Sequence, residues 1–416
     1  MNNTAVIHGN FLYTPDKDNF VTLKNGYMYL RNGRIEYLGN KCPIENIPVL
    51  NYQDKLILPG FYDMHLHAPQ FNQIGHGMDE QLLDWLNKYT FAEESKFVSA
   101  SYAEEVYKIF ADELVRNGTV GTAIFSTIHF ESTNKLAEKI LAKGLRAYVG
   151  KVNMDTNSAT TLTEDTKISL QETEKFIQKW RQNKFVKPII TPRFVPSCTP
   201  ELLQGLGNLA VKYNLPVQSH LSENISEVNL VKKLFPQEKY YLEVYDKFNL
   251  FGETPTLMAH CIHLSDAEIL KIAKRNVYAV HCPDSNLNLS SGIMPVRKML
   301  NAGVKIALGS DIGAGHSLFI PHAIVRAVQL SKLANLADNS CTPLKLSEIF
   351  YMATKSGGSF FGKSGSFEIN FTADFIVVNV PESQKNKSLE EQLQNFIYHG
   401  KPQDIIKIYV AGKPVN

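Results

Sequence analysis

The stretch FYDMHLH, residues 61–67, is an apolar run that ends in two histidines, and it opens a series of eight such runs. The others are TVGTAIFSTI (119–128), RAYVGKV (146–152), KPIITPRFV (187–195), PVQSHLS (216–222), TLMAHCIHL (256–264), VYAVHCP (277–283) and VKIALGSD (304–311). Short apolar runs bounded by turn signals read as buried strands. Helical stretches lie between them. SYAEEVYKIFADELVRNG (101–118) is closed by Gly118, the residue type that ends a helix in the left-handed conformation. TEKFIQKWRQN (173–183) repeats Thr173, Phe176, Ile177 and Trp180 at helical spacing. Eight strands alternating with helices predict an α/β fold, a (β/α)8 TIM-type barrel spanning residues 59–365.

Outward from this core, both ends read as strands. AVIHGNFLYTP (5–15), GYMYLRNGRIEYLG (26–39) and KLILPG (55–60) alternate apolar and polar residues, with KNGY (24–27) and RNGR (31–34) as turn signals. ADFIVVNV (373–380) and IIKIYVAGKPVN (405–416) resume the style. The two ends are expected to pair into a small composite β-sandwich domain, residues 1–58 with 366–416.

Composition sets the class. Of 416 residues, 44% are hydrophobic and 20% charged, as in an ordinary globular protein with a sizeable core. A net charge of +2 offers no field for nucleic acid or an anionic membrane, so neither is expected as a partner. Cys42, Cys198, Cys261, Cys282 and Cys341 are odd in number and contain no CxxC pair, which argues against a disulfide framework or a cysteine zinc site. No secretory leader pattern and no membrane-length apolar run is found. The expectation is a cytoplasmic enzyme.

Chemistry gathers at strand ends, where barrel active sites form. His65 and His67 are two apart on a strand and so face the same way. His220, His260 and Asp311 close the fifth, sixth and eighth runs. Four histidines and a carboxylate meeting at one mouth are costly to bury unless they bind a cation or each other. Imidazoles with one carboxylate suit one divalent ion, zinc foremost with iron as the alternative. Glu223, three residues after His220, can curl back to carry protons. His76 and His316 read as solvated loop residues, His263 as a loop or supporting residue and Cys261 as a small packed one, while His129 and His322 carry no signal. Ser285 and Asn286 are candidates for the pocket wall.

These residues carry a family resemblance. PGFYDMHLH (59–67) and GSD (309–311) with IGAG (312–315) resemble motifs of the amidohydrolase superfamily, in its cyclic-amidine and purine deaminase branch. HLHAPQF (65–71), LLDWLNKYTFAEE (82–94), TPRFVPSCT (191–199), QSHLSENISEV (218–228) and HCPDSNLNLSSG (281–292) are similar to the guanine deaminase family within it. The likeness runs along essentially the whole chain. It implies metal ligands His65, His67, His220 and Asp311, with His260 beside the attacking water and substrate. It also implies substrate contacts from Gln70, Arg193, Phe194, His220, Glu223, His260 and Asp311. The catalytic set it implies is Glu223, His260 and Asp311: Asp311 with His260 accepts the water's proton, and Glu223 delivers one to N3 as water adds at C2 of guanine. Xanthine and ammonia are the expected products, and a homodimer the expected assembly. Cys261 and the segment 313–317 depart from the family pattern. The alternatives are a deaminase or chlorohydrolase of another purine, a pterin or a triazine, and a catalytically silent metal-binding scaffold.

Overall fold

The computed structural model describes residues 4–44, 47–339 and 341–415. The first three residues of the expected N-terminal segment, Glu45, Asn46 and the last residue of the C-terminal one lie outside them. Strands β1 (Thr4–Tyr13), β2 (Val21–Arg31), β3 (Arg34–Gly39) and β4 (Val49–Pro59) come first. A parallel series follows: β5 (Phe61–His67), β6 (Thr119–Phe125), β7 (Arg146–Gly150), β8 (Val152–Asn153), β9 (Val186–Pro188), β10 (Thr191–Pro192), β11 (Val217–Leu221), β12 (Thr256–His260), β13 (Val277–His281) and β14 (Lys305–Leu308). The chain ends with β15 (Phe375–Val378), β16 (Ile405–Val410) and β17 (Lys413–Val415).

The parallel strands form two four-stranded sheets, β5-β6-β7-β9 and β11-β12-β13-β14, with β8 and β10 paired beside them. Two links join the sheets. Ile190 bridges in parallel to Val217, and the Asp311 amide donates to the His65 carbonyl at 2.8 Å. All seven residues of β5 and of β6 are buried, as strands covered on both faces must be. The helix Ala100–Arg116 covers β6 and the helix Thr166–Trp180 covers β9, and the buried residues of both recur at helical spacing. Ser99 caps the first by accepting from the Tyr102 amide, and Gly118 follows it at φ +81°.

The fourth run departs from the expected single strand. Pro188 and Pro192 lack the amide a central ladder needs. The run divides into β9 and β10, and β10 pairs with β8 instead of continuing the main sheet.

The two ends of the chain do pair. They build one seven-stranded mixed sheet in the order β17-β16-β15-β4-β1-β2-β3. Asn32 and Gly33, both at positive φ, make the β2–β3 turn, and Ala411 and Gly412 make the β16–β17 turn. KNGY is no turn. Asn25 lies at φ +50° inside β2, opposite a register shift in β1, and its amide donates to the Asn10 side chain. The Asn-Gly pair that can reverse a chain serves here as a bulge within a strand. Segment 370–373 ties β3 to the far end of the sheet: Ile35 donates to the Phe371 carbonyl, and Gly412 to that of Ala373. Phe11, Met28, Phe367, Phe375 and Tyr409 pack into a core of their own between these strands.

Asp374 fastens this sheet to the parallel strands. Its carboxylate accepts from Arg146 (2.8 Å), Tyr62 (2.6 Å) and the Ala411 amide (2.7 Å), and its side chain is wholly buried. Among the described residues no helix is long and apolar enough to cross a membrane. All five cysteines are free. Removing the Arg146 guanidinium leaves Asp374 charged and buried without its cation. Arg146→Ala is therefore expected to cost about 3–5 kcal/mol of stability. Chemical unfolding would measure it, and an unchanged midpoint would refute the anchoring role.

Candidate active site

At the carboxyl ends of the parallel strands, β5 brings His65 and His67 together with ring centroids 5.1 Å apart. β11 contributes His220, whose ring lies 4.7 Å from His65 and 5.1 Å from His67. His260 ends β12, its ring 5.5 Å from that of His220 and nearly parallel to it. Asp311 follows β14 and faces three of them. Its carboxylate oxygens lie 3.3 Å from His65 Nε2, 3.7 Å from His67 Nε2 and 3.7 Å from His260 Nε2. Glu223 Oε2 is 3.4 Å from His260 Nε2. Phe125 of β6 packs within 4.9 Å of the His65, His67 and His220 rings and closes the floor.

Local backbone geometry aims these groups. His260 (φ +72°), Cys261 (φ +51°) and Asp311 (φ +49°) occupy the left-handed region. That conformation is uncommon for side chains with a β-carbon and concentrates at working sites. Cys261 is buried and donates its amide to the Leu221 carbonyl, consistent with packing. Glu223 is held from behind: Glu227 accepts from the Glu223 amide (2.8 Å) and from Tyr241 (2.7 Å).

The donor set fits a divalent cation. His220 Nδ1 donates to the Arg193 carbonyl (2.6 Å), so its Nε2 carries a lone pair. That nitrogen sits 3.1 Å from His67 Nε2. His65 Nε2 and His260 Nε2 are buried without hydrogen-bond partners, and the His65, His220 and His260 nitrogens lie within 4.8 Å of one another. Converging imidazole nitrogens with one carboxylate are the ligand chemistry of zinc or ferrous iron. The charges agree. Burial opposes the Asp311 carboxylate, yet the neighbouring His65 and His260 outweigh it and hold its pKa well below the usual range. Burial, then the charges of His65 and His67, push His220 far below an ordinary imidazole. Burial first, then Asp311 and Glu227, push Glu223 well above the usual carboxylate range.

Beside the cluster opens a pocket with about 370 Å³ of empty space, part of it open to solvent. His67, His220, Glu223, His260 and Asp311 form its polar end. Gln70, Arg193 and Phe194 line it, as do Trp85, Leu86 and Leu289. Gln70 Nε2 and Arg193 Nη1 both donate to Glu94, at 2.9 and 2.5 Å. Glu94 was not singled out from sequence, although it closes the block LLDWLNKYTFAEE. A π-helical turn, Leu86–Thr90, precedes its helix Phe91–Ser95 and turns Phe91 and Glu94 inward. No residue pattern announces such a turn. Nor was Trp85 singled out; its indole donates to the His76 carbonyl. Asn286 accepts from His260 Nδ1 (2.9 Å), a supporting contact and not a pocket wall. His263 approaches the Ser291 carbonyl, His316 approaches Asn288, and neither joins the cluster. Cys282 is a further neighbour that sequence reasoning passed over, near His65 and Asp311.

Comparison with known proteins adds the family context. The Amidohydrolase family profile matches residues 56–415. Guanine deaminase of Dictyostelium discoideum is 40% identical over 383 residues, covering 89% of this chain and 85% of that protein. Guanine deaminase of Rattus norvegicus is 41% identical over 377 residues, 87% of this chain and 83% of the other. A crystal structure of guanine deaminase from C. acetobutylicum with bound guanine in its active site superposes with a TM-score of 0.98 at 47% identity, all of both chains covered.

A cation that binds the folded cluster but not the unfolded chain must stabilise the fold, by about 2.7 kcal/mol at a hundredfold excess over Kd. Metal-replete protein is therefore expected to melt above chelator-stripped protein, with recovery on adding Zn²⁺. Identical melting curves would count against a metal cluster here.

Proposed function

The chain belongs to the amidohydrolase family, and from that premise we propose that it deaminates guanine hydrolytically to xanthine and ammonia. The observation that carries this reading is a single pocket in which the histidine–aspartate cluster faces Gln70 and Arg193. One end can activate water and the other can grip a purine edge. The structural likeness to a guanine-bound relative supports the substrate.

The ligand set is read as His65, His67, His220 and Asp311, and the ion as zinc with iron as the alternative. When bound, such an ion supplies Lewis-acid activation of the attacking water. The chain supplies the rest. Asp311, with His260 next to it, accepts the water's proton. Burial first, then Asp311 and Glu227, raise the Glu223 pKa well above the usual carboxylate range, the direction that suits a group delivering a proton to N3 of the ring. Arg193 and the Gln70 amide nitrogen donate to O6, and Phe194 offers a face to the ring. Holding the ring so that C2 faces the cluster contributes up to roughly 7–11 kcal/mol in well-aligned cases. The proton taken up by Asp311 then passes to the amine, the C2–N bond breaks and ammonia leaves, while the new C2 hydroxyl returns a proton to Glu223 as the carbonyl of xanthine forms.

The same reading covers architecture and setting. The two parallel sheets, linked at both seams, are the halves of a (β/α)8 barrel over residues 59–365. The mixed sheet from both ends, with a core of its own, is read as the composite β-sandwich, residues 1–58 with 366–416. A cytoplasmic setting agrees with five free cysteines, and the family resemblance favours a homodimer.

Guanine incubated with metal-replete protein is expected to lose its ultraviolet band to that of xanthine, with one ammonia per base. No change on guanine would redirect the reading to another amino-substituted heterocycle. Glu223→Gln is expected to retain its metal by elemental analysis and to lose about 10²–10⁴-fold in kcat. Unchanged kcat would remove Glu223 from the proton path.

A further inference from the structure

We propose that Glu94 is a specificity-determining positioning residue: it locks the pocket into accepting a 6-oxo purine and refusing a 6-amino one. The inference deepens the guanine reading and rests on it. Glu94 is 3% exposed, and its two carboxylate oxygens each take one partner, Gln70 Nε2 and Arg193 Nη1. A carboxylate paired with a guanidinium only accepts hydrogen bonds. It therefore decides which way the Gln70 amide faces. Flipping that amide would set two oxygens against each other at hydrogen-bond distance and leave a buried acceptor unpaired.

With the amide so held, the other end of Gln70 is also fixed. Its Oε1 is buried from water and without a partner. It lies against Gly313, where even a β-carbon would come within 2.2 Å of it. What Gln70 and Arg193 can present to a ligand is therefore N–H alone. An oxo group at C6 accepts from such a wall, whereas an amino group meets donors with its own donors. Opposed donors at a wall of buried side chains cost more than a missing contact. Phe91, one turn before Glu94, lies under the Arg193 guanidinium at 5.4 Å and limits its swing.

The test compares guanine with 2,6-diaminopurine, which keeps the same amine at C2 but carries an amino group at C6 in place of the oxo group, and with it an N1 that bears a lone pair in place of a hydrogen. Wild-type protein is expected to prefer guanine by on the order of 10²-fold or more in kcat/KM. Glu94→Gln can accept or donate at the contact with Gln70, so that amide is free to turn. Its preference is expected to shrink by at least about tenfold, mostly through a raised KM for guanine. Glu94→Asp keeps the acceptor-only character and should lose rate on both bases while retaining the preference. Equal proportional losses on both bases in Glu94→Gln would overturn the role, because a merely structural residue acts that way. Should that variant not fold, wild-type protein decides alone: hypoxanthine is expected to inhibit and adenine not, and equal inhibition overturns the lock. Absence of guanine turnover by wild-type protein would instead count against the function itself.

Discussion

One residue joins the last parallel strand to the first and also carries the charge around which the site is built. The Asp311 amide donates to the His65 carbonyl, and its carboxylate faces the rings of His65, His67 and His260. Strand register and site geometry therefore cannot vary independently. A slip at this seam would move the carboxylate off the imidazoles and leave it buried without partners, a cost of several kcal/mol. Asp63 reinforces the join from β5, accepting from the Ser310 amide at 2.8 Å. Burial raises the pKa of Asp63 to about 7, against hydrogen bonds from Ser310 that lower it.

Around this seam the polar groups are arranged in tiers. Glu227 and Tyr241 steady the backbone of Glu223, Asn286 steadies the His260 ring, and Glu94 steadies Gln70 and Arg193. Arg193 is held at a second point, since its amide donates to the Asn153 carbonyl and the Asn153 side chain is fixed by Ser169 and Thr173. Each tier replaces water that a buried polar group would otherwise require, so the pocket is shaped before a ligand arrives. Apolar walls from Trp85, Leu86, Phe194 and Leu289 keep the interior poor in water, which strengthens every one of these contacts.

Much of this was legible in the chain itself, and the reasons are local. Buried parallel strands must be apolar along their length, so the eight runs stood out. A site residue at a strand end is announced by a polar residue closing an apolar run, as at His67, His260 and Asp311. Glu94 closes no strand. It sits on a helix among other acidic and polar residues, and only the π turn at Leu86–Thr90 distinguishes its direction. KNGY misled because Asn-Gly favours positive φ wherever it occurs, and the turn and the bulge both use that preference. The divided fourth run followed from Pro188 and Pro192, whose missing amides were visible but not weighed against the apolar pattern around them.

The mixed sheet has a consequence for the order of events at the ribosome. β4 lies between β1 and β15, but β15 begins at Phe375, after the entire parallel series. At about 5–20 residues per second, one edge of β4 stays unpaired for on the order of tens of seconds during synthesis. Its outer half, Val49–Lys55, is mostly solvent-facing, while Leu56–Pro59 is apolar and buried and awaits β15. The nascent chain thus carries a short sticky edge through most of its translation, and the charges of Asp54 and Lys55 flank it where a foreign strand would otherwise add.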